Sequence, residues 1–231
     1  MYFNFKKKEK SFKSLNRGLT LVELLVVIAI FLVITTVAMF NYGDFNSSVS
    51  LQNLTDDIAL SIRKAQSFAI GARGVKEDQD VVFTKSYGVH FSVNQDPAGP
   101  LAGSYKSFLM FYSSPSSREY VYDPINTTCG DGANQCIELF NIMSIDEVKE
   151  IVAYNGETLI SSNSSIDASL DIIFTRPDPR AYFCYKENVG SDCITTASRV
   201  EIKISNGRTD DDEIEKTKTI SVQNTGQISI Q

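Results

Sequence analysis

The sequence predicts an α+β fold in which a long N-terminal α-helix, hydrophobic in its first half and amphipathic in its second, packs on an antiparallel β-sheet head. Three patterns lead to that expectation. Residues 19–40 (LTLVELLVVIAIFLVITTVAMF) are apolar with one charge, Glu23. Leu51, Leu54, Ile58, Ile62, Ala65 and Ala69 recur at intervals of three and four, which places them on one face of a helix. From about residue 80, short runs alternate apolar with polar residues, the period of a half-buried strand.

Taken in order, the chain divides into a basic leader (1–18), a transmembrane helix (19–41), an amphipathic continuation (42–73) and a β-rich head (74–231). The leader carries Lys6, Lys7, Lys8, Lys10, Lys13 and Arg17 against Glu9 alone. Of 22 basic and 28 acidic side chains in the whole chain, 16 and 27 remain beyond it, a net charge of −11. Nucleic-acid affinity comes mostly from neutralising phosphates, so an acidic head is a poor partner for DNA or RNA. A local patch of Arg176, Arg180, Lys186 and Arg199 is the one place where such contact is weighed.

As a helix rising about 1.5 Å per residue, residues 19–40 reach about 33 Å, enough for a hydrocarbon core of about 30 Å. Basic residues before the apolar run and none just after it place the leader in the cytoplasm and the head outside. Glu23 does not belong in a plain anchor. A carboxylate inside an apolar span calls for a specific partner.

Arg17-Gly18-Leu19-Thr20-Leu21-Val22-Glu23-Leu24, followed by Leu25-Val26-Val27-Ile28-Ala29-Ile30, resembles the prepilin processing signal of type IV pilins and type II secretion pseudopilins. The resemblance implies cleavage after Gly18 by the prepilin peptidase, methylation of the new N-terminus at Leu19, and a filament-assembly role for Glu23, facing the amine of an adjacent subunit. The family more often has Phe where this chain has Leu19. The spacing is chemically reasonable, because Leu19 and Glu23 are i,i+4 neighbours on a helix and a charge pair can fix register.

The implied partners are the peptidase, other pilin or pseudopilin subunits and the inner-membrane assembly platform. The implied location is the inner membrane as a single-pass precursor, with the mature head periplasmic or extracellular in a filament. An ordinary signal peptide cut near Thr36-Val37-Ala38 and a simple one-span anchor account for the basic and apolar blocks but not for Gly18 with Glu23. The competing function is a signal-anchored surface protein with an adhesin or ligand-binding β head. Arg63 to Ile70 (RKAQSFAI) also resembles the corresponding helix of GspH/FimT-type minor pseudopilins, although an amphipathic helix covering any sheet accounts for these residues equally well. The long, loop-rich head with two expected disulfides leans toward a minor or initiating subunit.

Between the two helical patterns, residues 41–48 (NYGDFNSS) read as a polar break, with Gly43 a bend or melted point. In the head, Tyr87, Val89, Phe91 and Val93, then Leu170, Ile172 and Phe174, then Val200, Ile202 and Ile204, then Ile220 and Val222, and finally Ile228 and Ile230 mark strands. Turn-forming clusters at 96–100, 113–116, 176–179, 206–207 and 225–226 separate them. Residues 106–112 and 136–142, more continuously apolar, read as buried central strands, and 145–153 (IDEVKEIVA) as a short helix.

The four cysteines point to disulfides in an oxidising compartment. Three connectivities are open to them, of which the local one, Cys129 with Cys136 and Cys184 with Cys193, is the simplest. Their spacing misses the usual zinc pattern, and no cofactor is expected. Asp210, Asp211, Asp212 and Glu213 form the candidate cation loop, but they match no EF-hand and read as a solvated hairpin tip between strands 199–204 and 217–223. His90, the only histidine, lies on the opposite strand face from Val89 and Phe91 and reads as a surface side chain. There is no phosphate loop, nucleophile elbow or histidine pair, and the chain reads as non-enzymatic.

Overall fold

The computed structural model describes residues 20–77, 80–93, 100–101, 106–113, 122, 129, 136–162, 168–187, 192–207 and 215–231. The leader, Gly18, Leu19 and the acidic run 210–213 therefore lie outside the described residues. The chain divides into two compact units, one ending at Phe45 and the other spanning Asn46–Gln231.

A single helix, α1 (Leu21–Ile70), supplies the described part of the first unit and the opening of the second. Residues 41–48 are helical, so the expected break at Gly43 does not occur. One glycine costs a helix only about 1 kcal/mol, and the serines that follow are tied down. Asn206 Nδ2 donates to Ser47 Oγ and Lys216 Nζ to Ser48 Oγ, while Ser50 Oγ donates to Asp146 Oδ2. The helix ends with Ala72 in the left-handed region (φ 49°) and with Arg73 N–H bonded to Phe68 C=O at 3.1 Å. This closure satisfies carbonyls of the last turn.

Among the described residues twelve strands follow, all paired antiparallel. β1 (Val75–Glu77) and β2 (Asp80–Val82) form a small hairpin. One five-stranded sheet runs β5 (Cys136–Asn141), β4 (Ser107–Ser113), β3 (Ser86–Ser92), β8 (Ser169–Phe174), β9 (Ala181–Lys186). The other runs β12 (Ile228–Ile230), β11 (Thr217–Gln223), β10 (Arg199–Ser205), β6 (Glu147–Asn155), β7 (Thr158–Ser162). The fold is α+β, as the alternating and helical patterns require.

Alternation along each strand builds one main core. Tyr87, Val89 and Phe91 of β3, Leu170, Ile172 and Phe174 of β8, and Val200, Ile202 and Ile204 of β10 all enter it. So do Leu51, Leu54, Ile58, Ile62, Ala65 and Ala69 of α1. Burying a Leu, Ile or Phe side chain stabilises by about 1.5–3 kcal/mol, so these facing stripes supply most of what holds the second unit together. Gln66 Nε2 adds hydrogen bonds to Pro179 C=O (2.9 Å) and Gly226 C=O (3.1 Å). Gly226 itself has φ +87°, and a Cβ there would stand 2.1 Å from Pro179 O, so the β11–β12 turn admits only glycine against the helix.

The sheet containing β3 is buried on its second face as well, where its own Leu109, Phe111, Cys136 and Ile173 cluster with Leu101 and Tyr122 from outside its strands. One sequence expectation changes for this reason, and a second changes with the strand order. His90 is 5% exposed, not a surface group, because the face opposite Val89 is also buried. β4 is fully buried as expected, whereas β5 is an edge strand of intermediate burial rather than a central one.

Residues 147–155 are strand β6, not a helix. A register shift between Lys203 and Ile204 of β10 sets Glu150 opposite Lys203 and Val148 opposite Ile204, so that Lys149 is the extra residue of a bulge. Val148 and Ile151 therefore both face the core at a spacing of three, which imitates a helical stripe.

Candidate functional site

Thr20 opens α1 as its N-cap. Its Oγ1 accepts from Glu23 N–H at 3.2 Å, and its C=O accepts from Leu24 N–H at 3.2 Å. The stretch Thr20-Leu21-Val22-Glu23 thus has the Ser/Thr-x-x-Glu order of a capping box. It places an acid in the first helical turn, where the helix dipole favours negative charge. Thr20 three residues before Glu23 carries the cap signal in the sequence itself, where it overlaps the cleavage pattern. Thr20 joins Glu23 as a residue that defines how the helix begins.

Beyond Glu23 the helix is charge-free to Met39. Leu21–Met39 is long and apolar enough to cross a membrane, and none of it is buried inside the protein. Leu21, Val22, Phe31, Val33 and Ile34 are each more than 60% exposed. Thr35 Oγ1 donates to Phe31 C=O and Thr36 Oγ1 to Leu32 C=O, so both hydroxyls are satisfied within the helix and need no water. Among the described residues this apolar surface stays unburied, which calls for lipid or other apolar helices.

The head arranges its polar groups for structure. Cys129 pairs with Cys136 (Cα–Cα 4.8 Å) and Cys184 with Cys193 (5.0 Å). Buried His90 Nδ1 lies 2.5 Å from Asp171 Oδ1, and Asp171 Oδ2 accepts from Tyr122 N–H at 3.2 Å. The Tyr122 ring packs 4.7 Å from the His90 ring. The pair therefore anchors Tyr122 over the second face of the sheet.

Of the basic residues Arg176, Arg180, Lys186 and Arg199, the three arginines make separate contacts within the head. Arg176 Nη1 donates to Phe83 C=O, Arg180 pairs with Asp178, and Arg199 pairs with Glu201 and covers the Tyr154 ring. The Arg180 guanidinium holds the Asp178 carboxyl below the usual carboxylate range. Among the described residues no group of three His, Cys, Asp or Glu is placed to hold a metal.

Residues 13–39 match the family model of the prokaryotic N-terminal methylation motif. This motif is the signature of type IV pilin and pseudopilin precursors, and the chain carries it in its N-terminal segment. No curated protein matches the chain, and no solved structure does. The motif covers the basic boundary and the apolar part of α1 and implies processing by a prepilin peptidase and assembly with other such subunits. With the apolar helix, it fits a single-pass, membrane-anchored precursor.

Proposed function

We propose that the chain is a structural, non-enzymatic subunit of a type IV pilus or type II secretion pseudopilus, in a minor position. It is cut after Gly18 and N-methylated at Leu19, and it assembles through α1 with the head outside the inner membrane. The observation that carries this reading is the coincidence of the methylation motif with a wholly unburied apolar helix whose one charge is Glu23.

Cleavage after Gly18 leaves a cationic amine one residue before the Thr20 cap. Glu23 then lies four residues along, an i,i+4 neighbour. Inside an apolar bundle neither charge is tolerated alone, and a neighbouring subunit's amine gives Glu23 its partner while setting register. Methylation keeps the amine charged.

Glu23→Leu tests this. The variant should insert and fold its head like the parent, with head melting within about 0.5 kcal/mol as for a surface change, yet remain in the membrane fraction and be absent from sheared filaments. Normal recovery in filaments would refute the assembly role of Glu23.

A further inference from the structure

The two faces of strand β9 are accounted for, but its outer edge is not. Along β9, Ala181 N–H bonds to Asn224 C=O (3.0 Å), and Tyr185 exchanges both main-chain bonds with Ile194 (3.3 and 2.9 Å). Residues 181 and 185 therefore turn their backbone groups away from β8. In an antiparallel sheet the pointing direction alternates, so Phe183, midway between them and opposite Ile172, does the same.

Segment 195–197, which follows the Tyr185–Ile194 bridge, does not continue the pairing. Phe183 N–H and C=O accordingly have no main-chain partner among the described residues, although the residue is only 3% exposed. Buried main-chain groups are paired in the great majority of cases. The edge borders a groove of about 210 Å³ lined by Arg180, Ala181, Tyr182, Phe183, Thr195, Ala197 and Asn224. Against the roughly 150 Å³ of a cavity that holds benzene, the groove has room for a small planar group.

We propose that this groove is a binding site for a primary carboxamide, the head group of a glutamine or asparagine side chain on a partner protein. The chemistry follows from the slot. In an extended residue the N–H and C=O point the same way, so the ligand must present an acceptor and a donor on one edge. A primary carboxamide does this. A trans secondary amide, such as a peptide bond or an N-acetyl group, carries them on opposite edges and makes one bond only. An ionised carboxylate sets an acceptor against the Phe183 carbonyl. An added β-strand is blocked at both ends, by Asn224 at Ala181 and by Ile194 at Tyr185. Buried Ala181, Phe183 and Ala197 give the groove an apolar floor, and Thr195 and Asn224 stand exposed at its rim.

The test uses the full chain in detergent micelles, labelled with ¹⁵N-phenylalanine, the Phe183 signal being assigned by its loss in Phe183→Leu. Propionamide should shift the Phe183 amide with a saturating curve, while N-methylacetamide at the same concentrations should leave it on a linear drift. Thr195→Phe, at an exposed position that need not disturb folding, should abolish the saturating shift, as should Ala197→Leu deeper in the groove. Equal responses to the two amides, a shift that survives Thr195→Phe, or no shift at all would overturn the proposal and leave a slot for water. A stronger response to thymidine, whose base also has donor and acceptor on one edge, would overturn it in favour of a nucleobase.

Discussion

The two halves of α1 share one secondary structure and differ in everything that surrounds it. In Leu21–Met39 the apolar residues go all the way round and none is buried. From Leu51 to Ala69 they form a stripe, with Leu51, Ile58, Ile62, Ala65 and Ala69 at most 2% exposed, while Asp56, Asp57 and Arg63 stay outside. A helix that is apolar all round is stable only where its surroundings are apolar too, whereas a striped one finishes its burial inside its own domain. The second half therefore reports on the stability of the head, and the first on what lies outside the chain.

The largest expected effect breaks this comparison at its core. Ile58→Ala should destabilise the head by about 2–5 kcal/mol in denaturant unfolding, the range for truncating a buried Ile. Ile28→Ala, in the unburied half, should leave the same transition unchanged within about 0.5 kcal/mol. Similar losses from both would mean that the first half also packs within its own chain.

Opening the second disulfide with Cys184→Ser and Cys193→Ser together should cost about 2–3 kcal/mol, read as a lower denaturant midpoint. The loss should fall on the head and not touch membrane insertion. Asp171→Ala removes the partner of His90 and the acceptor of Tyr122 N–H and should cost about 1–3 kcal/mol, the penalty for leaving buried polar groups unmet. Faster hydrogen exchange at Tyr122 would localise it.

The smallest effect is electrostatic. Hydrogen bonds from Lys149 and Ser205 hold the Glu215 carboxyl below its ordinary range. A depressed carboxylate contributes stability that is complete above its unfolded value of about 4.3 and disappears as pH falls through the folded one. Because Lys149 and Glu215 are 48% and 35% exposed, screening leaves less than about 1 kcal/mol. Glu215→Gln should therefore lower stability slightly at pH 7 and not at pH 3.

Much of this arrangement was legible in the sequence. The stripe from Leu51 to Ala69 and the alternations at Tyr87–Phe91, Leu170–Phe174 and Val200–Ile204 are local patterns, and they fix which face turns inward. What escaped depends on long-range facts. Val148 and Ile151 imitate a helix because a bulge shifts the strand by one residue. His90 reads as a surface residue from the sequence because alternation tells which face a residue occupies, not whether a second layer covers it. The slot at Phe183 is a property of backbone direction and carries no residue signature. At the other end of the chain, the Thr20 cap was visible as a motif, and only the geometry of the first turn shows that Glu23 N–H bonds to it.

The central claim concerns the boundary between residues 18 and 19, and intact-mass with N-terminal peptide mass spectrometry of the chain from its native membrane or sheared surface fraction tests it most directly. A mature chain that begins with methylated Leu19 is the expected result. A chain that begins at Val37 or later, or one that retains residues 1–18, would contradict the account.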